Sequence, residues 1–182
     1  MSKDNLDLKQ YIRNVKNFPI DGIEFKDITS LIETPHAFIK TCDELTRVAK
    51  KFGANMVASI ESRGFIFAGT MARDLHLPFV LARKPGKLPN ETYKKSFDLE
   101  YGSTSIEIQK NTEIKNNQKI VIVDDLVATG GTAIACSEIF TENFNVKSEN
   151  ILILSIIDLP ELGGSKLISE KGYLIETLID YW

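Results

Sequence analysis

Asp124 and Asp125 stand a few residues ahead of Ala128, Thr129, Gly130, Gly131 and Thr132, and this combination of carboxylates, hydroxyls and glycines could do chemistry. A β-branched apolar run, Ile120 to Val123, comes before it without helical spacing, the pattern of a strand buried on both faces. The two carboxylates are expected where that strand ends. An apolar segment with helical spacing, Ala133 to Phe140, follows. A strand, a tight loop and a helix start form an anion site, because the first N–H groups of a helix lack partners and its dipole is positive there. Glycines let the backbone approach a phosphate closely, and Thr129 and Thr132 add donors.

The loop is not a Walker A sequence, since no lysine follows the glycines, and it is not the GxGxxG dinucleotide pattern. Carboxylates beside a phosphate cradle would repel a bare phosphate. They fit a ligand that also brings a diol or a metal, because carboxylates accept hydrogen bonds from hydroxyls and attract Mg²⁺. A ribose 5-phosphate meets that description. Read from the residues alone, an acidic turn that merely caps the helix remains the other possibility.

The elements that would position this loop repeat one plan. Met56 to Ile60 is expected as a buried strand, followed by Glu61, Ser62, Arg63 and Gly64 and a helix from Phe65 to Leu75, a second candidate anion loop that carries an arginine. Pro78 to Ala82 is a third strand. After it Arg83, Lys84, Pro85, Gly86, Lys87, Leu88 and Pro89 form a basic loop, extended by Lys94 and Lys95, which suits a mobile segment closing over a polyanion. Ser105 to Gln109 alternates with period two after Gly102 and Ser103, so a hairpin or flap is expected over about 91–110. Ile151 to Ile157 reads as a further buried strand, a short helix starts near Ser165, and Gly172 to Tyr181 ends in a strand. At the front, Leu8, Tyr11, Ile12 and Val15 recur at helical spacing, which predicts an amphipathic helix over about 6–16. Thr34 is expected to cap a helix that has Pro35 at its first position and Gly53 at its end. Strands alternating with helices imply an α/β fold, a mostly parallel sheet covered on both faces. Ligands of such sheets bind beyond the carboxyl ends of the strands. That would bring Glu61 to Gly64, Arg83 to Lys87 and Asp124 to Thr132 to one rim.

The segment from Asp124 to Thr132 resembles the phosphoribosyl pyrophosphate motif of type I phosphoribosyltransferases, and nearly the whole chain resembles the adenine phosphoribosyltransferase branch. Phe18-Pro19 through Gly22, Phe25 and Asp27 to Thr29 match that branch's N-terminal segment, Glu61 to Phe65 its pyrophosphate loop, and Arg83 to Pro89 and Leu99 to Gly102 two further signatures. The resemblance implies a type I phosphoribosyltransferase fold in a single domain spanning 1–182, with a base-recognition segment over about 1–33 and a flexible basic loop and flap over about 84–110. It implies transfer of the phosphoribosyl group from phosphoribosyl pyrophosphate to adenine, giving AMP and pyrophosphate. Mg²⁺ would be held mainly through substrate oxygens, with no metal-ligating residues of the protein's own. Glu100 would be the acid/base at the purine and Arg63 would stabilise the departing pyrophosphate. Ser62, Arg83, Lys84, Lys87, Tyr101, Asp124, Asp125 and Ala128 to Thr132 would bind substrate. Phe25 would stack on the base, and the backbone around Glu24 and Lys26 would read its edge. The family also tends to have a cis peptide in the pyrophosphate loop, here at Glu61-Ser62. Asp21 and Lys26 depart from residues common in the branch. A hypoxanthine or guanine enzyme, or a non-catalytic sensor of the same ligand, is therefore the alternative.

Composition bounds these readings. The chain has 182 residues, 43% of them hydrophobic and 26% charged, enough for one domain with a real core. A formal charge of −3 argues against a nucleic-acid surface, no apolar run reaches a membrane span, and the polar N-terminus does not resemble a signal peptide. Cys42 and Cys136 lack metal-type spacing and read as reduced core thiols of a cytoplasmic protein. His36 falls at a helix start and His76 in a polar turn, which leaves a carboxylate as the expected proton carrier. A homodimer is implied by the resemblance only.

Overall fold

The computed structural model describes residues 6–99 and 102–181. Internal contacts divide the chain into two compact units, Met1–Glu44 and Leu45–Trp182. In the first, a single 3-10 turn at Leu8–Tyr11 leads into strand β1 (Arg13–Lys16), which pairs antiparallel with β2 (Glu24–Asp27). Helix α1 (Thr29–Glu33) follows, and α2 (Pro35–Phe52) begins here. The helix expected over about 6–16 is therefore absent. Leu8 and Ile12 are buried, but Val15 is exposed and pairs with Phe25 across the hairpin, so cross-strand pairing takes over half of the helical pattern. Thr34 stands directly ahead of α2, as expected, and its carbonyl accepts the Phe38 amide at 2.9 Å, but it also ends α1 and its hydroxyl donates back to the Ser30 carbonyl at 2.9 Å.

The second unit is built on five parallel strands in the order β4-β3-β7-β8-β9: β3 (Met56–Ile60), β4 (Phe79–Ala82), β7 (Ile120–Val127), β8 (Ile151–Asp158) and β9 (Leu174–Asp180). Helix α3 (Gly64–Leu75) joins β3 to β4, α4 (Gly131–Asn143) joins β7 to β8, and α5 (Gly164–Glu170) joins β8 to β9. Between β4 and β7 lies an antiparallel ribbon, β5 (Thr92–Leu99) with β6 (Gly102–Gln109), where the flap was expected. Strand alternation sorts the two faces of the sheet. Met56, Ala58, Ile60, Ile120 and Ile122 pack with Ala135, Cys136, Ile139 and Phe140 of α4, whereas α3 lies against β3 and β7 on the other side.

The ribbon is rooted in this core. Ile106 and Ile108 are almost wholly buried, Tyr93 meets Phe144 edge-on with centroids 5.3 Å apart, and Lys95 bridges Glu138 at 3.0 Å and Glu142 at 2.6 Å on α4.

Two features of the sheet set the site. β7 runs four residues further than expected, because β8 continues alongside it: Asp124 pairs with Ser155 and Val127 with Asp158. The acidic residues thus sit in the strand, where backbone pairing fixes their direction. The start of α3 is pressed against the same strand end. A Cβ on Gly64 would lie 2.6 Å from Ser59 Oγ and 2.8 Å from the Val123 carbonyl, and Ser59 Oγ itself donates to that carbonyl at 2.7 Å. We expect Gly64→Ala to lower stability by about 1–3 kcal/mol through overpacking, read as a fall in denaturant midpoint at constant slope.

Candidate active site

The loop between β7 and α4 owes its shape to a glycine contact. Gly130 is left-handed, with φ 81°, and precedes the first turn of α4. A Cβ there would meet the Gly164 carbonyl oxygen at 2.9 Å, and one on Gly164 would collide with the Ala128 carbonyl. The Gly164 amide donates to that Ala128 carbonyl at 3.0 Å, and the Leu159 amide donates to Val127 at 3.1 Å. The loop following β8 therefore braces the loop following β7. Asp124 and the run from Leu126 to Ala133, which includes the loop 128–132 expected to hold an anion, line a small cavity of about 100 Å³.

A larger cleft of about 330 Å³ shares Asp124, Leu126 and Thr132 with that cavity. It is also lined by Glu61, Ser62, Arg63, Lys84 and Asp125. Arg63 reaches from the start of α3 to Asp125, with Nε 2.8 Å from Oδ2. Asp125 Oδ2 is buried and, among the described residues, takes no well-directed hydrogen bond, so the contact is a charge pair with hydrogen-bonding capacity in reserve. Asp124 Oδ1 accepts the Asp125 amide at 2.9 Å. Burial and then the Asp125 charge push Asp124 well above the ordinary carboxylate range. Burial also raises Asp125, against the pull of Arg63. The pair is thus poised to hold a proton when nothing else neutralises it.

The basic loop is fastened at its root by two carboxylates. Glu61 takes Arg83 in a bidentate pair, at 3.2 Å from Nε and 3.1 Å from Nη2, and accepts the Lys84 amide at 3.0 Å. Burial opposes ionisation of Glu61, but the Lys84 amide and Arg83 overcome it and hold the carboxyl below its usual value. Arg83 exchanges backbone hydrogen bonds with Glu107, whose carboxylate accepts the Gly86 amide at 3.3 Å. Arg83 Nη1 also donates to the Lys87 carbonyl. Arg83 and Lys87 line neither cavity; Lys84 lines the larger one. The peptide between Glu61 and Ser62 is cis, as is that between Phe18 and Pro19.

Of the residues singled out in the sequence, Ser62, Arg63, Lys84, Asp124, Asp125 and Ala128 to Thr132 are gathered around these two connected cavities. Glu100 and Tyr101 lie outside the described residues. Glu24, Phe25 and Lys26 belong to the other unit. There Phe25 meets Phe18 edge-on at 5.1 Å, and Lys26 is buried with its ammonium 2.9 Å from Glu24 and 3.0 Å from Asn14. Sequence reading passed over Phe97, Thr104, Ser105 and Leu126, which also line the large cleft. The first two are cross-strand partners in the ribbon, a relation that only the β5–β6 register reveals. Glu61 and Glu107 act as anchors through pairings with the basic loop that lies far from each in sequence. Among the described residues no group of three or more His, Cys, Asp or Glu side chains is placed to hold a metal ion.

Two glycine-bearing loops thus meet at an acidic strand end on a parallel sheet. The family model for the phosphoribosyl transferase domain matches residues 32–173. Among curated relatives, the adenine phosphoribosyltransferase of Mesoplasma florum is 44% identical over 176 residues, covering 97% of this chain and all of that protein. That of Pelagibacter ubique is 40% identical, covering 97% and 98%. The crystal structure of the Giardia lamblia APRTase complexed with 9-deazaadenine superposes with a TM-score of 0.89 at 36% identity, covering 97% of each chain. The chain belongs to the adenine phosphoribosyltransferase branch of the phosphoribosyl transferase family.

The acidic pair makes a pH prediction. Folding raises its proton affinity, so its contribution to stability is complete below the ordinary Asp value of about 3.9 and is lost as pH climbs through the raised folded value. Asp124→Asn removes the cost of burying a second charge. In thermal unfolding of the ligand-free protein the variant should be more stable than the wild type near neutral pH, and the gap should close toward about pH 4.

Proposed function

We propose that the protein catalyses reaction of adenine with phosphoribosyl pyrophosphate to give AMP and pyrophosphate, a purine-salvage transfer, with the two connected cavities as the phosphoribosyl pyrophosphate site. The observation that carries this reading is the ion pair of Arg63 with Asp125, which ties the loop after β3 to the carboxyl-terminal end of β7, just ahead of the loop 128–132. A ligand with phosphate at both ends of a ribose needs two such anion sites at a short fixed distance. In this reading the Ala128 to Thr132 backbone and hydroxyls hold the 5-phosphate, where the start of α4 adds its dipole. Asp124 and Asp125 accept the ribose hydroxyls. Ser62, Arg63 and Lys84 face the pyrophosphate, and Arg63 offers planar, paired donors as charge builds on the leaving group. Arg83 acts through Glu61, holding the loop on which Ser62 and Arg63 sit, and Lys87 stands by on the basic segment.

The hard oxygens of the acidic pair, with their raised proton affinity, suit a neighbour that brings positive charge. Mg²⁺ arriving with the substrate would supply that neutralisation, coordinated mostly by substrate oxygens and water. The residues' own task is to orient the ribosyl carbon, keep water away and hold the departing charge. Glu100 as the acid/base at the purine, Tyr101 beside it, Phe25 stacked on adenine, and the backbone at Glu24 and Lys26 reading the base edge all rest on the family resemblance. So do a homodimer, a cytoplasmic setting, and the assignment of about 1–33 to base recognition within one functional domain. No helix among the described residues is long and apolar enough to cross a membrane, and the net charge of −3 gives no basis for a nucleic-acid partner.

Incubating the protein with phosphoribosyl pyrophosphate, Mg²⁺ and one of adenine, hypoxanthine or guanine should yield AMP from adenine and little nucleotide from the others, resolved by chromatography. IMP or GMP as the main product would move the base assignment, and bound ligand without any nucleotide would favour a sensor. Glu100→Gln should lower turnover by about 10²–10⁴-fold while leaving affinity for phosphoribosyl pyrophosphate nearly unchanged. Equal turnover would remove Glu100 from the reaction.

A further inference from the structure

The mechanism leaves Phe97 of the large cleft without a task. Among the described residues Phe97 is the sole aromatic lining that cleft, and it comes from the β5–β6 ribbon, not from the sheet or its anion loops. The ring is half-buried and packs against the main core cluster on one side. Its strand partner Thr104, together with Ser105 and Ile106, lines the same cleft, so the ribbon presents a continuous wall. Of the other apolar lining residues, Ile60 and Ile106 are 3% and 2% exposed and show little more than an edge, and Leu126, half-buried like Phe97, lies in β7 beside the acidic pair. The charged groups of the cleft, Glu61, Arg63, Lys84, Asp124 and Asp125, come from the strand ends of the parallel sheet and the loops that follow them, and the ribbon adds only the hydroxyls of Thr104 and Ser105. Phe97 is therefore the bulky aromatic surface that the ribbon adds to a chamber whose charged groups come from the sheet and its loops.

Its use follows from the competition at the ribosyl carbon, which rests on the phosphoribosyl transfer reading above. A carbon losing pyrophosphate with oxocarbenium character accepts any nucleophile within reach, and water is the most abundant. In the wasteful reaction a water oxygen forms the new bond to that carbon, the bond to the pyrophosphate oxygen breaks with its electron pair leaving on pyrophosphate, and the water's proton passes to solvent. The products are ribose 5-phosphate and pyrophosphate, with no oxidant or further reactant needed. We propose that Phe97 is a positioning residue that suppresses this hydrolysis by occupying the ribbon side of the cleft, so that the ribosyl carbon meets the base and not water. The root of the ribbon suits the task. Lys95, two residues earlier, is held by Glu138 and Glu142 of α4, the helix whose start forms the phosphate cradle. The wall and the cradle are thus fixed to one helix.

The test is a partition experiment on the full-length enzyme with saturating adenine, phosphoribosyl pyrophosphate and Mg²⁺, quantifying ribose 5-phosphate and AMP from the same reaction. Phe97→Ala should raise the ratio of ribose 5-phosphate to AMP by about tenfold or more, the change that roughly 1.4 kcal/mol between two competing barriers produces. Phe97→Leu and Phe97→Gln have similar volume and opposite polarity, which separates packing from water exclusion if the alanine variant folds poorly. The ratio should stay near wild type in Leu and rise in Gln. A purely structural Phe97 would lower both products together with the ratio unchanged in all three variants, which would overturn the proposal. A wild type that consumes phosphoribosyl pyrophosphate without converting adenine to AMP would instead overturn the functional reading and the inference with it.

Discussion

The arrangement of the second unit depends on two adjacent carboxylates carried to the end of a buried parallel strand. β7 is apolar and nearly inaccessible from Ile120 to Val123, and the strand does not stop when its chemistry changes. Pairing with β8 carries Asp124 and Asp125 into the same ladder. Burial and mutual repulsion make that arrangement costly for two full charges, as the raised proton affinity of both groups records. The cost is met locally only in part, by the Asp125 amide on Asp124 and by Arg63 on Asp125. What remains is a site that would gain from a ligand bringing hydroxyls and a cation, as the proposed ribosyl pyrophosphate with its metal would.

Close backbone packing keeps the surrounding loops where that chemistry needs them. Gly64 lets the arginine-bearing loop sit against the end of β7, and Gly130 and Gly164 let two loops touch through their main chains. Neither contact leaves room for a side chain, so the position of each anion loop is set by sheet geometry and not by flexible side-chain contacts. The basic loop follows the same logic with charge in place of contact. Glu61 and Glu107 hold its root, and Lys84 is left at the cleft. Arg83 is thereby engaged as a brace at the root of that loop.

Much of this was legible in the sequence, for identifiable reasons. Uninterrupted β-branched runs such as Ile120 to Val123 and Ile151 to Ile157 mark buried parallel strands, and loops at their ends announce themselves by glycine, threonine and charge. The missing parts are those that depend on pairing. Leu8, Tyr11, Ile12 and Val15 fit a helix, and only the hairpin partner Phe25 shows why Val15 leaves that face. The run of β7 past Val123 depends on the length of β8, which no local pattern encodes. Phe97 looks like an ordinary core aromatic until the ribbon register sets it beside Thr104 on the cleft. Glu61 and Glu107 lie 46 residues apart in sequence and converge on one loop, a relation invisible to spacing.

The central claim is that a ribosyl ligand replaces a proton at the acidic pair. Hydroxyl donors and a cation favour the charged form, so binding should lower the proton affinity of Asp124 and Asp125. Calorimetric titration of phosphoribosyl pyrophosphate with Mg²⁺ into the protein, repeated in buffers of different ionisation enthalpy, counts the protons exchanged. The account predicts net proton release below neutral pH that is sharply reduced in Asp124→Asn, where proton exchange by the ligand's own phosphates remains. Proton exchange identical in the wild type and Asp124→Asn, or tight binding accompanied by proton uptake at the pair, would contradict it.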